Sequence, residues 1–335
     1  MNIRNIANNN YHKLSKYIKR TPMCYNERLS KIYNANIYLK REDLQFTRSF
    51  KIRGAYMKIL NSNLKSDDTI VCSSAGNHAQ SIAFLSNKLN IHSNIFLPCT
   101  APQQKISRIK YFSNPNTCNI HFAGSIFDEC LEESKKFAQK HNAIYIHPFD
   151  DHYIIAGQGT IGLEIENNEH NKNMDIIIAT IGGGGLMSGI SSYIKTNKNN
   201  MCKIYGVESE NSDSMKTSIA NNKIIKLFNN DFFVDGSAVK QPGNETFKYC
   251  KKYVDQIFTI NNNHVCHDLI DLYQNEGIVA ELSGAMPLSL LPIIKDEIKG
   301  KNICCIISGG NNDVSRLKEI NDRKIIHENT LLFYS

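Results

Sequence analysis

The chain has 335 residues, of which 41% are hydrophobic and 21% are charged, and its formal net charge is +7. These values are typical of a globular chain with one large domain or two ordinary ones, and they exclude an intrinsically disordered protein. The charges are interspersed without a run of five or six like charges. They therefore favour a small anionic ligand and argue against nucleic acid as a partner.

The sequence also disfavours a membrane protein and a metal-binding protein. No apolar run reaches the length of a membrane span, and the N-terminus lacks the apolar core of a signal peptide. The ten cysteines include no C-x-x-C pair, which favours buried, reduced thiols and predicts neither disulfides nor a zinc site. We therefore expect a cytoplasmic protein with no membrane partner and no metal.

A first alternating series begins near Asp68. Strands are predicted at "TIVCSS", "SNIFLP", "CNIHFAG" and "AIYIHP", and helices at "NHAQSIAFLSNKL", "APQQKISRIKYF" and "SIFDECLEESKKFAQKH". A β-α-β-α order predicts a parallel sheet covered by helices.

A second series follows. Strands are predicted at "MDIIIATIG", "KIYGVES", "DQIFTI" and "KNICCIISGG", and helices at "LMSGISSYIKT", "DSMKTSIANN", "NHVCHDLIDLYQ" and "SGAMPLSLLPIIKDEI". The fold class is therefore α/β, with two packed, doubly wound parallel-sheet domains. Ligands of such sheets bind beyond the C-terminal ends of the strands.

Four glycines, Gly182–Gly185, lie between a predicted strand and a predicted helix. Their backbone N–H groups can curl around an anion in front of a helix N-terminus, so the stretch predicts a phosphate site. No lysine follows as in a P-loop. The dinucleotide pattern fails at Ser188, although Glu208 ends the next strand, which leaves a nicotinamide oxidoreductase as an alternative.

Lys51 lies in "SFKIRGAY", between an aromatic residue and the predicted start of a helix. A lysine in an apolar pocket can lose its proton and act as a nucleophile, although most lysines are solvated charges. Together with a phosphate site and the strand-end serine Ser308, such a lysine suggests pyridoxal 5'-phosphate as cofactor.

Seven motifs in the same order carry a resemblance to a known family: "LKREDLQFTRSFKIRGAY", "SSAGNHAQ", "AGQGTIGLEI", "IGGGGLMSGI", "VDGSAVK", "AELSGA" and "SGGNND". The sequence from about Tyr17 to Asp313 resembles the fold-type-II pyridoxal-phosphate enzymes, and among them the biosynthetic threonine dehydratases. The resemblance implies the tryptophan synthase β-like fold and the conversion of L-threonine to 2-oxobutyrate and ammonia.

The resemblance also implies roles for individual residues. Lys51 matches the catalytic Schiff-base lysine, Asn77 the asparagine that bonds the ring hydroxyl of the cofactor, and Ser308 the serine at the pyridine nitrogen. The phosphate loop is matched by Gly182, Gly183, Gly184, Gly185 and Leu186. The turn that receives the substrate carboxylate is matched by Ser74, Ala75, Gly76, Asn77 and His78; we interpret the His78 ring as a hydrogen-bonded brace.

On the same basis we expect a large cofactor-binding domain at 1–55 plus 151–320, a small mobile domain at 56–150, and a tail at 321–335. The partner is a small amino-acid substrate, and the assembly is a homodimer or a homotetramer. The dehydratases continue into an isoleucine-sensing domain, and "NTLLFYS" resembles its first strand. We therefore expect no inhibition by isoleucine.

Related enzymes are separated by single positions. Serine racemases carry a serine before the glycine of "AGNH" as a second acid/base, whereas this chain has Ala75, so racemisation is the disfavoured alternative. Ser214 stands where the racemase cation site has a carboxylate, which also disfavours a divalent cation. Glu281 matches the glutamate of the family's E-P-[SA]-G-A motif, although Leu282 replaces the proline. A catalytically silent binding protein is disfavoured by the intact Lys51.

Overall fold

The computed structural model describes residues 2–65, 68–125, 127–170, 172–197 and 199–334. The strands are β1 (Met23–Tyr25), β2 (Asn36–Arg41), β3 (Thr69–Ser73), β4 (His92–Leu97), β5 (Cys118–Phe122), β6 (Ile144–Tyr145), β7 (Ile176–Thr180), β8 (Lys203–Ser209), β9 (Gln256–Ile260) and β10 (Asn302–Ile307).

Helices cover both sheets. They are α1 (Ile3–Leu14), α2 (Glu27–Tyr33), α3 (Lys51–Leu60), α4 (Asn77–Leu89), α5 (Gln103–Phe112), α6 (Phe127–Lys140), α7 (His152–Glu166), α8 (Gly185–Lys195), α9 (Ser214–Ala220), α10 (Asn244–Tyr253), α11 (Asn262–Glu276), α12 (Leu282–Ala285), α13 (Lys295–Ile298) and α14 (Leu317–Tyr334). No helix in the described ranges has both the length and the apolar character needed to cross a bilayer.

The ten strands form two sheets. One has six strands in the order β1-β2-β10-β7-β8-β9, and the other has four in the order β5-β4-β3-β6. All neighbouring pairs are parallel except β1 and β2, which are antiparallel. Every residue of β7 is buried, as expected for a strand covered by helices on both faces. The α/β fold class predicted from the sequence is confirmed.

Helix α7 brings together the two helices whose N-termini carry the candidate site. A Cβ at position 157 would lie 2.5 Å from the Arg53 carbonyl oxygen and from the Gly54 Cα, so α3 and α7 meet backbone to backbone. A Cβ at Gly189 would lie 2.5 Å from the Ile155 carbonyl oxygen, so α8 meets α7 in the same way. Glycine is required at these positions because no side chain fits between the helices. This packing explains the glycines of "AGQGTIG".

Two predictions about local structure are wrong. "SGAMPLSLLPIIKDEI" is broken into α12, the 3-10 helix Met286–Leu290 and α13, because Pro287 and Pro292 cannot continue an α-helix. "NTLLFYS" is not a strand, since α14 runs to Tyr334 and only Ser335 lies outside the described residues. The N-terminal segment adds β1 to the edge of the six-stranded sheet as its one antiparallel neighbour in the described ranges.

Candidate active site

Lys51 is the first residue of α3, and its side chain is half-buried. Its Nζ donates to the Pro148 carbonyl oxygen at 2.9 Å. Burial lowers the pKa of Lys51 to about 8, and the negative charge of Glu281 opposes this shift only in part. A substantial fraction of the amine is therefore neutral near physiological pH, which is the form that acts as a nucleophile.

A buried ion cluster fixes the helix that carries Lys51. The Arg53 guanidinium donates to Glu42 at 2.8 Å and to Glu164 at 2.7 and 2.8 Å, and all three side chains are inaccessible to solvent. Lys40 binds Glu164 at 2.5 Å, so two cations balance two anions. Burial alone would raise the pKa of Glu164, but Arg53 and Lys40 lower it. The cluster ties α3 to α7, to β2 and to the turn after β2. Its four members lie in two of the quoted motifs, but the motifs did not indicate that they meet.

The glycine loop lies at the N-terminus of α8. Gly184 has φ +91°, a left-handed conformation that side chains rarely adopt, and a Cβ on Gly185 would lie 2.9 Å from the Phe149 Cβ. Among the described residues, none accepts a hydrogen bond from the backbone N–H groups of Gly183, Gly184, Gly185 and Leu186. Four free donors at a helix N-terminus form a site suited to a phosphate.

The turn before α4 offers a second set of donors. The Ser74 N–H is occupied by the Phe96 carbonyl oxygen at 3.1 Å, and the Gly76 N–H by Ser74 Oγ at 3.1 Å. Within the described part of the chain, the N–H groups of Ala75, Asn77 and His78 donate to no other group. Three of the five residues in the predicted turn therefore keep a backbone N–H group that is free to bind a carboxylate.

The interpretation of the His78 ring as a brace is confirmed. Its Nε2 lies 2.9 Å from the Ile146 carbonyl oxygen, which can only accept, so this nitrogen carries the proton. Burial, followed by the positive charge of Lys51, lowers the pKa of His78 to about 3. The ring is therefore neutral and links α4 to the end of β6.

Asn77 and Glu281 contact each other through their side chains, and the Glu281 charge acts on Lys51. Asn77 Nδ2 donates to Glu281 Oε1 at 2.8 Å and to Oε2 at 3.1 Å. Glu281 also accepts from Ser283 Oγ at 3.1 Å, and burial raises the pKa of Glu281. Leu282, which stands where the family motif has a proline, begins the short helix α12.

Ser308 follows directly after β10 and is buried. Its Oγ lies 3.4 Å from the Ser283 carbonyl oxygen, to which Thr180 Oγ1 also donates at 2.7 Å. The Ser308 carbonyl oxygen accepts from the Phe50 N–H at 3.1 Å. This bond places the end of β10 beside the start of α3, and so brings Ser308 and Lys51 to the same edge of the sheet.

The segment His147–Asp150 belongs to the site and was not predicted as part of it. Pro148 contacts Lys51, and Phe149 contacts the glycine loop. Asp150 accepts hydrogen bonds from three N–H groups at the start of α10, at 2.8 to 3.1 Å. Thr246 of α10 then donates to the Gly183 carbonyl oxygen at 2.7 Å. The acidic pair in "HPFDD" directly before α7 is a capping pattern, but it indicates only the cap that Asp151 gives α7; the contact of Asp150 with α10 joins residues at least 94 positions apart and has no local signal.

Glu208 takes part in a local cap. Its carboxylate accepts from the backbone N–H groups of Met215 at 3.0 Å and Lys216 at 2.8 Å. Burial raises the pKa of Glu208 to about 8, against the effect of these two bonds. In the described ranges, no three His, Cys, Asp or Glu side chains are arranged to hold a metal ion.

The sequence was compared with protein-family models, curated proteins and solved structures. Residues 14–309 match the model of the pyridoxal-phosphate dependent enzyme family. The chain belongs to this family. It is 44% identical over 321 residues to a biosynthetic L-threonine dehydratase of Staphylococcus aureus and 42% identical over 318 residues to that of Halalkalibacterium halodurans, covering 94% of this chain and 75% of each relative.

Two solved structures illustrate the shared fold. Threonine deaminase isoform 2 from Solanum lycopersicum superimposes with a TM-score of 0.86 at 34% identity, over 93% of this chain and 90% of that one. Maize serine racemase gives a TM-score of 0.86 at 26% identity, over 97% of this chain and 98% of that one. Members of the family depend on pyridoxal phosphate, so the nicotinamide alternative is set aside.

The residues of this chain fit that cofactor. The free N–H groups around Gly184 suit its phosphate, the partly neutral amine of Lys51 suits its aldehyde, and the Ser308 hydroxyl suits a ring nitrogen. A side chain on Gly182, Gly183 or Gly185 would collide with Ser237 or Phe149, so the loop has room only for backbone.

Proposed function

We propose that the protein is a threonine dehydratase that converts L-threonine to 2-oxobutyrate and ammonia by α,β-elimination, and L-serine more slowly to pyruvate. The observation that carries this proposal is 42 to 44% identity to biosynthetic L-threonine dehydratases over 94% of the chain. It is supported by Lys51, the glycine loop and Ser308 meeting at one sheet edge.

Each step follows from the groups present. Pyridoxal phosphate, when bound, withdraws electrons from the Cα of an amino acid joined to it. The Lys51 amine would hold the cofactor and, once released from it, take the Cα proton. The free N–H groups of Ala75, Asn77 and His78 would orient the substrate carboxylate. Loss of the β-hydroxyl as water, balanced by the proton taken from Cα, gives an enamine. The enamine tautomerises to an imine, and a water molecule hydrolyses the imine to the 2-oxo acid and ammonia.

Ser308 favours elimination over transamination. Its hydroxyl is neutral, so it does not keep a proton on a pyridine nitrogen as a carboxylate would. Electron withdrawal from Cα is then weaker, and a carbanion there is short-lived. Prompt departure of the β-hydroxyl is favoured over reprotonation elsewhere.

The alternative reaction is serine racemisation, since a serine racemase shares the fold. Racemisation needs a second acid/base across the substrate from Lys51, and the methyl group of Ala75 cannot serve. The test is incubation with L-threonine and L-serine, with 2-oxobutyrate, pyruvate and D-serine measured by chiral chromatography. Accumulation of D-serine as fast as pyruvate contradicts the proposal.

Ala75→Ser provides the reverse test, because it places a hydroxyl beside the turn. We expect it to raise D-serine formation relative to pyruvate, whereas Ala75→Gly, which changes the same position without a hydroxyl, should not. A general acid/base typically contributes about a hundred- to ten-thousandfold, so the difference is measurable.

We also propose that the large domain comprises 1–55 plus 151–320, that 56–150 form a small mobile domain, and that the protein is a homodimer or homotetramer. The division is supported by the sheets, since β3 to β6 all fall within 56–150 and form one sheet. Hydrogen exchange with and without substrate tests the mobility, and analytical ultracentrifugation tests the assembly.

A further inference from the structure

A row of side-chain amides crosses the site from the segment before α3 to Glu281. Asn311 Nδ2 donates to the Thr47 carbonyl oxygen at 2.9 Å and to Asn77 Oδ1 at 2.8 Å. Asn77 Nδ2 in turn donates to both oxygens of Glu281, at 2.8 and 3.1 Å. Four groups from four separate segments are thus joined by hydrogen bonds in which Asn311 donates to both of its neighbours and Asn77 donates to Glu281.

The orientation of both amides is set by the two ends of the row. The Thr47 carbonyl can only accept, so the NH₂ group of Asn311 faces it, and the second proton of the same group is directed at Asn77. Asn77 must then present its oxygen to Asn311 and its nitrogen to Glu281, whose carboxylate accepts. Reversing the Asn77 amide would set oxygen against oxygen at Glu281 and nitrogen against nitrogen at Asn311.

We infer that Asn311 is a positioning residue that fixes the amide of Asn77 with its oxygen toward Asn311 and its nitrogen toward Glu281, so that the amide has only N–H groups to offer the cofactor. This inference rests on the proposed function and deepens it, because Asn77 is the residue expected to bond the ring hydroxyl of pyridoxal phosphate. Glu281 alone holds the amide from one side, and Asn311 holds it from the other. Asn77 therefore offers an N–H group, not a carbonyl, to a ring oxygen.

The orientation has a measurable consequence. A hydrogen bond donated to an ionised oxygen favours the ionised form and lowers its pKa. If the amide is reversed, its carbonyl faces the ring oxygen and disfavours ionisation. The pH at which the visible absorption of the bound cofactor changes should therefore rise when Asn311 can no longer donate.

The main variant is Asn311→Asp, which keeps the size of the side chain and replaces its donors by acceptors. The cofactor-loaded protein is titrated, and the pH midpoint of its absorption change is compared with the wild type. We expect an upward shift of about one pH unit, the size associated with one charge-assisted hydrogen bond. Asn311→Ala, which adds no charge and leaves Glu281 to hold Asn77, should give a smaller upward shift.

Asn312→Asp is the matched control. It adds the same charge one residue along the chain, at a half-buried position that takes part in none of the bonds of the row. Its midpoint should stay at the wild-type value. The inference is overturned if the midpoint of Asn311→Asp does not shift. It is also overturned if Asn312→Asp shows the same shift, or if Asn311→Ala shows no upward shift. If Asn311→Asp does not fold or load cofactor, Asn311→Ala decides by the same criterion.

Failure of the function and failure of the inference are separable. A wild-type protein that shows no cofactor absorption or no threonine turnover counts against the proposed function. A wild-type protein that shows both, with unshifted midpoints in the two Asn311 variants, leaves the function standing and removes only the role of Asn311.

Discussion

The substitution Gly157→Ala should disturb the candidate site by changing how α3 packs on α7. The added Cβ would lie 2.5 Å from the Arg53 carbonyl oxygen and from the Gly54 Cα. Carbon atoms in contact are ordinarily about 3.5 Å apart, so α3 and α7 must separate by about 1 Å. Neither obstacle is a flexible side chain, so the strain reaches the first turn of α3, which carries Lys51.

Two opposing terms set the effect on stability. Overpacking a core costs about 1 to 3 kcal/mol. Alanine is favoured over glycine inside a helix by about 1 kcal/mol. We therefore expect a net loss of about 0 to 2 kcal/mol, which leaves the protein folded. The effect on catalysis should be larger, because misplacing a reacting group by about 1 Å reduces the rate about a hundredfold.

The assay combines threonine turnover, measured as 2-oxobutyrate, with cofactor loading by absorbance and unfolding by circular dichroism. Gly162→Ala is the matched control, since it makes the same change on α7 but meets the Tyr193 side chain, at 3.0 to 3.2 Å. It should retain most of the turnover. Equal turnover in Gly157→Ala and the wild type, or equal losses in the two variants, would refute the reasoning.

Three further predictions follow from the same site. Lys51→Ala should lose nearly all turnover, and borohydride reduction of the wild type should attach cofactor mass to the peptide containing Lys51; a label on another lysine refutes the assignment. Arg53→Met removes the guanidinium that holds Glu42 and Glu164, so denaturant unfolding should show a loss of about 3 to 5 kcal/mol, and a change below 1 kcal/mol would contradict a coupled cluster. Folding lowers the pKa of Lys51 from 10.5 to about 8. Between these pH values the unfolded chain binds more protons than the folded one, so the free energy of unfolding of the cofactor-free protein should rise with pH. This rise should be absent in Lys51→Met.

The sequence predicted the elements that read as apolar runs bounded by turns. Strand β8 and helix α4 match their predicted segments, because the apolar centre of β8 and the clear helical start of α4 leave few alternatives. The N-terminal elements were not predicted. Helix α1 is rich in asparagine, a poor helix former, and buries only Ile3, Ala7 and Leu14 against the rest of the fold. Its stability comes from contacts that no local pattern displays.

The candidate site divides in the same way. Lys51, Asn77, Ser308 and the glycine loop were found because each lies in a short motif, and their roles stay predictions until tested. The pairing of Glu164 with Arg53 could not be predicted, although both lie in quoted motifs, since the two residues are 111 positions apart in the chain. Asn311 lies in the motif "SGGNND", but its role depends on hydrogen bonds that form only after four segments of the chain have come together.

Four consecutive residues from Pro148 to Asp151 each serve a different structure. Pro148 contacts Lys51, Phe149 covers the glycine loop, Asp150 caps α10, and Asp151 caps α7 and binds Lys58 at 2.6 Å. Insertion or deletion of one residue here would shift several of these attachments at once. Natural length variation in this family should therefore be absent from this stretch, and engineered tags or permuted termini belong elsewhere on the surface.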